Sequence, residues 1–383
     1  MKILHLMLAC FYIDNYSYQE NYLPKYHKLQ GNDVKIISSL FTFDENGKGT
    51  MLKSAMKYVN EYGIPVSRLD YAPGKISHKL RKYIGLEEEI ADFEPDIIFI
   101  HGVQFADINV VVNYCKVHKD VIVYADSHSD FSNSATNWLS KHILHRIIWK
   151  HYAHKINPYV KRFYGVLPAR VDFLVNEYKL PKEKVSLLVM GADDEAVQNA
   201  KDDVLIKETR ERIGISKGDF VIMTGGKIDQ FKTQTLLLME AVKQIQHPNV
   251  KLIVFGSVTP ELKDKVSALC DGDRVKYIGW IHAKDSYNYF ASADLVVFPG
   301  RHSVFWEQVA AQGIPMVVKY WDGTTHVDFN GNLRFLYKDT VEEIRDVLLD
   351  IIENNKIVDM KAVAEKASVN FMYSNIAQRS IDS

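Results

Sequence analysis

Short apolar runs alternate with amphipathic stretches along nearly the whole chain. In the first half, residues 3–8, 33–38, 97–101 and 121–124 read as strands. Between them, residues 22–30 and 86–93 place apolar side chains three and four apart, which is helix spacing. The order strand, helix, strand predicts parallel sheets covered by helices. Gly31-Asn32 and Glu94-Pro95-Asp96 close helices just before the next strand begins.

The same grammar restarts in the second half. Residues 219–223, 250–255, 275–279, 295–298 and 316–319 read as strands, and residues 233–246, 287–291, 307–312 and 341–353 as helices. The pattern predicts an α/β protein of two doubly wound, Rossmann-like domains. The first spans 1–192 and the second 193–365, joined near Gly191-Ala192-Asp193 ahead of a polar stretch. A tail, 366–383, is expected to pack back on the first domain. A chain of 383 residues also exceeds what one core usually serves.

Residues 138–170 break the rhythm. Lys141, His142, His145, Arg146, Lys150, His151, His154, Lys155, Lys161 and Arg162 interleave with Ile143, Leu144, Ile147, Ile148, Trp149 and Tyr152. This predicts a basic amphipathic helix. One reading is a helix with one face in the core and one in water. The other is a surface for anionic lipid head groups.

Composition narrows the class. The formal net charge is -1, so no overall field attracts nucleic acid. Cys10, Cys115 and Cys270 are widely spaced and form no metal-ligand pair, as expected of reduced thiols in the cytosol. The apolar N-terminal run has the length of one buried strand and is followed by Asp14 and Asn15, so it reads as a strand and not as a signal peptide. No segment approaches the roughly 18 uninterrupted apolar residues of a membrane span. The expectation is a soluble, cytoplasmic protein, peripheral at most on the cytoplasmic membrane face.

In open α/β sheets ligands bind beyond the carboxyl ends of the strands. Gly225-Gly226-Lys227 and Lys232 follow the strand at 219–223. Glycines admit a close backbone and the ammonium groups add positive charge, a combination suited to phosphate. Pro299-Gly300 through Trp306 follow the strand at 295–298 and open a helix whose backbone N–H groups suit a diphosphate. Glu307, one turn in, can accept two hydrogen bonds from a vicinal diol such as a ribose. In the first half, Asp126-Ser127-His128-Ser129-Asp130 follows a strand, and His101 ends another. The loop supplies no tetrahedral ligand set, but a His beside a carboxylate can bind a sugar hydroxyl or move its proton. Tyr18, Gln19 and Glu20 alternate aromatic and polar groups as a polyol site does. Ser17 and Glu20 equally fit a capping box.

Taken together these stretches resemble the GT-B glycosyltransferases of the large retaining family four, in the bacterial cell-surface polysaccharide branch. The resemblance runs through Tyr18-Gln19-Glu20, residues 126–130, 187–193, Gly226-Lys227 with Lys232, 293–299, and Glu307 through Pro315. It implies two domains facing across a cleft. It also implies a nucleotide-sugar donor (UDP by prior) in the second domain and a saccharide or lipid-linked acceptor in the first. Transfer would proceed with retention, without a catalytic metal or cofactor. Lys227 and Lys232 would stabilise the leaving diphosphate, with Gly225 and Gly226 beside it. Ser303 and Val304 would offer backbone N–H groups, Gly279 and His282 would flank the base, and Glu307 would hold the ribose. His128 would sit beneath the transferred sugar, with Tyr18, Gln19, Glu20, His101, Asp126 and Asp130 around the acceptor.

The chain departs from the family pattern at named positions. No glycine occurs between Ala9 and Asn21. Gly300 stands where the first of two glutamates is expected, which leaves His302 or Ser303 to meet the sugar. Gln308 has the second glutamate's distance from Gly313, but Glu307 is preferred because a carboxylate binds a diol more strongly than an amide does. Lys227 puts a point charge where the family has a guanidinium. The rival readings are a nucleotide-sugar epimerase of the same fold and a non-catalytic glycosyltransferase-like partner subunit.

Overall fold

A computed structural model describes residues 1–44 and 48–382. The chain divides into two compact units, Met1–Val189 with Tyr373–Ser383, and Met190–Met372.

The first unit is built on an eight-stranded sheet. Across the sheet the strands are Val185–Leu187, Val160–Gly165, Ile122–Ser127, Ile97–His101, Lys2–Met7, Asp33–Ser39, Pro65–Leu69 and Met56–Val59. All neighbours pair in parallel except the last two, which are antiparallel. Side chains alternate between faces along each strand. Ile98 and Ile100 therefore join one core with Leu4, Leu6, Val123 and Ala125. Ile97 and Phe99 join the other with Ile3, Met7, Tyr124 and Tyr164. That second face is closed by the helices Gln19–Leu29 and Tyr373–Asp382, through Tyr22, Leu23, Tyr26, Tyr373, Ile376 and Ala377. Each fully buried aliphatic or aromatic chain contributes roughly 1.5–3 kcal/mol.

The second unit holds a six-stranded parallel sheet in the order Val275–Tyr277, Val250–Phe255, Phe220–Gly225, Leu295–Phe298, Met316–Lys319, Leu333–Leu336. Chain order reverses between Phe220–Gly225 and Leu295–Phe298. A switch point of this kind leaves a crevice at the strand ends, because the two following loops diverge to opposite faces.

Several expectations shift. The strand at 121–124 extends to Ser127, so Asp126 lies inside the sheet and not in a loop after it. The basic helix ends at Ile156: it has π geometry over Ser140–Trp149 and α geometry over Lys150–Ile156. Lys161 and Arg162 belong to the strand Val160–Gly165. The helix at 307–312 begins two residues earlier, as Phe305–Gln312. Tyr373–Asp382 lies within the first unit, and residues 366–372 lie in the second.

Candidate functional site

In the second unit the switch-point crevice is lined by Thr224, Gly225, Gly226, Lys227, Lys232, Thr235, Phe298, Gly300, Arg301 and Ser303. Two features let the backbone form it. A Cβ on Gly225 would lie 2.2 Å from the Phe255 ring, and Gly226 takes a φ of 129° with open space on its Cβ side. Lys227 is paired with Asp229 at 3.3 Å. Burial pulls the Lys232 pKa down; Asp229 opposes this, and Lys227 and Arg301 add to it. The Arg301 guanidinium lies over the exposed Phe231 ring at 5.6 Å. Ser303 and Val304 precede the first residue of Phe305–Gln312, where backbone N–H groups have no acceptor within the helix. Three cations and a helix start thus face one small crevice, an arrangement that favours a compact polyanion.

Glu307 does not join them. Its side chain is fully buried, and its Oε1 accepts from His302 Nε2 at 2.9 Å and from His326 Nε2 at 2.7 Å. Burial works against ionisation, but the two imidazoles outweigh it and hold the carboxyl well below the usual range. In this arrangement the Glu307 carboxylate has no exposed surface, so a ribose diol would reach it only by displacing the imidazoles that enclose it. Gln308 lies on another face of the same helix and donates from Nε2 to Ser286 Oγ at 2.7 Å. The nitrogen and oxygen atoms of His302, Glu307 and His326 lie within 4.8 Å of one another, a set that could hold a divalent ion. Here they bond one another. Gly279, Trp280 and His282 follow the strand Val275–Tyr277. Gly279 accepts from Gly256 N–H at 2.8 Å, and Trp280 packs edge-on against His282 with its ring exposed.

In the first unit the strand-end groups converge on His128. Its Nε2 lies 3.8 Å from both Glu20 Oε1 and Asp126 Oδ2. Burial opposes its protonation, but Glu20 and Asp126 outweigh that and raise its pKa. Gln19 Nε2 donates to Asp126 Oδ2 at 3.4 Å. His101 Nδ1 lies 2.9 Å from the same oxygen, bent away from ideal hydrogen-bond geometry. Glu20 thus lies beside His128, and Tyr18 precedes the helix Gln19–Leu29 as its N-cap without a side-chain hydrogen bond, so no capping box forms. Tyr18 stays exposed at the rim, packed on Tyr16. Asp130 is not part of the cluster: it accepts from Ser132 and from Arg170, and so shapes its own loop.

Residues 219–354, inside the second unit, match the family described as Glycosyl transferases group 1. The D-inositol 3-phosphate glycosyltransferase of Arthrobacter sp. (strain FB24) is 25% identical over 179 residues, 44% of this chain and 42% of the relative. The match thus spans less than half of the relative's length. Among solved structures, Anabaena Alr3699/HepE in complex with UDP aligns with a TM-score of 0.66 and 18% identity over 99% of this chain and 98% of its own. UDP-GlcNAc 2-epimerase from Neisseria meningitidis, bound to UDP-GlcNAc, aligns with a TM-score of 0.63 and 12% identity over 100% and 99%. These whole-length likenesses show the fold class: α/β, with two Rossmann-like units of the GT-B kind.

The structure adds residues that sequence spacing does not reveal. Arg301 and Thr235 line the crevice, and His326 completes the cage around Glu307. His5 and His27 stand in line behind His101. A histidine inside the apolar strand Lys2–Met7 was the available signal for His5.

Proposed function

We propose that this protein is a glycosyltransferase that moves a sugar from a nucleotide-diphosphate donor, a UDP-sugar, to a saccharide or lipid-linked acceptor. We assign it to the retaining, metal-independent, hexosyl-transferring kind, working in cell-surface polysaccharide synthesis. The observation that carries the reading is the switch-point crevice, where Lys227, Lys232 and Arg301 meet Gly225, Gly226 and the start of a helix. A pyrophosphate fits this chemistry. As the glycosidic bond breaks, negative charge grows on the leaving diphosphate, and cations already in place stabilise it without reorganising. The group 1 match over this unit supports the reading, as do a UDP complex and a UDP-GlcNAc complex among proteins of the same fold.

Within this reading the ribose falls to Gln308 and not to Glu307, because the Glu307 carboxylate is enclosed. His302 and Ser303 face the sugar, and Gly279 and His282 flank the base. His128, with Glu20, Asp126 and Gln19, receives the acceptor hydroxyl. The exposed apolar residues Trp138, Leu139 and Ile147, beside Lys141 and Lys150, would bring the enzyme to an anionic membrane surface where a lipid-linked acceptor resides.

The epimerase likeness sustains a second reading, in which the same crevice holds a UDP-sugar that is isomerised and not transferred. One experiment separates the two. The purified protein is incubated with a panel of nucleotide sugars, with and without saccharide acceptors. Transfer or slow donor hydrolysis supports the glycosyltransferase; a new epimer at constant nucleotide-sugar concentration supports the epimerase. Inert donors throughout would return the protein to the non-catalytic class.

A further inference from the structure

Behind the His128 cluster a line of imidazoles crosses the interior of the first unit. His101 Nε2 lies 2.9 Å from His5 Nδ1, and His5 Nε2 lies 3.0 Å from His27 Nδ1. His27 Nε2 then reaches the C-terminal helix, 3.0 Å from both the Ala377 carbonyl oxygen and Ser380 Oγ. At the near end His101 Nδ1 lies 2.9 Å from Asp126 Oδ2. His5, His27 and His101 have no exposed surface.

The line has acceptors at both ends. Asp126 is a carboxylate and the Ala377 carbonyl can only accept. Ser380 Oγ donates to that same carbonyl at 2.7 Å, so its oxygen faces His27 as an acceptor too. The three rings therefore take part in three hydrogen bonds, each of which needs one proton, and in one bent contact with a carboxylate oxygen, which is repulsive unless His101 Nδ1 carries a proton as well. A neutral imidazole carries one N–H, so three neutral rings supply one proton too few. Some contact would then set a nitrogen lone pair against a lone pair at about 3 Å in a dry interior, where an unmade hydrogen bond costs about 1–3 kcal/mol.

We infer that this line holds one proton in excess: His101 is a buried imidazolium paired with Asp126, and His5 and His27 are neutral relays that fix it in place. His101 turns a protonated Nδ1 toward Asp126 as a close ion pair and donates from Nε2 to His5. His5 donates from Nε2 to His27, and His27 donates to the Ala377 carbonyl. Every contact then has one donor, and the line together with Asp126 is neutral overall. The directions of titration agree. Burial, then His27 and His101, holds His5 well below the ordinary imidazole value. Burial pulls His27 down to about 4, with the Ala377 carbonyl opposing and His101 adding. The excess charge thus rests at the Asp126 end. The ionisable groups facing that end are Glu20, His128, Arg170 and the Cys10 thiol. At the far end, Tyr164 and Tyr124 direct their hydroxyls to the carbonyls of Ser380 and Ile381.

The consequence lies at His128. With its charge already met by His101, Asp126 attracts a proton on His128 less strongly, so the rise that Glu20 and Asp126 impose on His128 is held back. His5, His27 and His101 are positioning residues in this scheme. The role of the line rests on His128 serving the acceptor, but its proton count does not.

The test uses the full chain with histidine-selective 15N labelling and long-range proton–nitrogen correlation spectra at pH 7. Four protonated ring nitrogens among His5, His27 and His101, with both on His101, are expected. Three neutral rings with three protonated nitrogens would overturn the inference. In His101→Gln, whose amide still donates to Asp126 without a charge, the His128 midpoint should rise by about one unit. An unchanged midpoint would overturn the coupling. Neither spectrum requires donor or acceptor, so failure of the turnover assay leaves this result standing on its own.

Discussion

His326 donates from Nε2 to Oε1 of Glu307 across 2.7 Å, and neither side chain has any exposed surface. The bond, shared with His302, turns the one carboxylate of the helix Phe305–Gln312 into an internal brace. Glu307→Gln should therefore lower stability by about 2 kcal/mol, the scale of a charged acceptor lost from buried donors. UDP affinity should stay within a few-fold. Gln308→Ala should instead weaken UDP about tenfold, at a stability cost of only about 1 kcal/mol for the lost bond to Ser286. Denaturant unfolding and calorimetric titration of the two variants check this. The opposite pattern would restore the ribose to Glu307.

Lys232 carries the second prediction. Lys232 lines the crevice, and removing a charge-assisted contact to phosphate should weaken UDP binding by about tenfold or more in Lys232→Ala. Circular dichroism should show the fold retained. Unchanged calorimetric affinity would remove the crevice from the proposed function.

The same side chain predicts a pH dependence. Its pKa is depressed, chiefly by burial, so the bound cation is lost at a lower pH than for an ordinary lysine. UDP affinity should fall as pH rises through that depressed value and be full below it. Lys232→Arg should flatten the alkaline limb, since a guanidinium does not deprotonate there. Titrations between pH 7 and pH 10 supply the comparison.

A fourth prediction concerns metal. The contacts of Glu307 with His302 and His326 are hydrogen bonds, and in the proposed function the crevice cations stabilise the leaving group without an ion. Prolonged chelator treatment should leave donor turnover unchanged. Activity lost on chelation and regained with a divalent ion would assign the cluster to metal binding.

The exposed residues Trp138, Leu139 and Ile147 give the fifth. Co-sedimentation should be stronger with anionic than with neutral vesicles, and Trp138→Ala with Lys141→Ala should reduce it several-fold. Equal binding to both vesicle types would discard the membrane surface.

The legible parts of the fold are those where burial alone decides. Val250–Phe255 is buried at every position, so an apolar run broken only by Lys251 marks it directly. Pro65–Leu69 carries no apolar run to mark it, because it begins with Pro and contains Ser67 and Arg68. Arg68 is buried, paired with Asp14 at 3.0 Å and donating to the backbone of Tyr12, Ser39 and Phe41. Val160–Gly165 was missed because Lys161 and Arg162 continue the basic pattern of the preceding helix. At the site, Lys227 and Lys232 could be read because a glycine pair and a strand end flag them. The Glu307 cage could not, since His326 arrives from a turn with no periodicity. The imidazole line joins positions 96 and 350 residues apart in sequence, separations that no spacing rule encodes.

The helix Tyr373–Asp382 belongs to the first unit, although all of the second unit separates it from Val189. Residues 1–189 made alone would lack the lid over Tyr22, Leu23 and Tyr26 and would leave His27 without its anchor. On the ribosome, that face waits uncovered until the rest of the chain has emerged. Truncation at residue 372 should thus act as a folding defect of the opposite end of the molecule. Dissecting the two units for separate study requires grafting this helix onto the first.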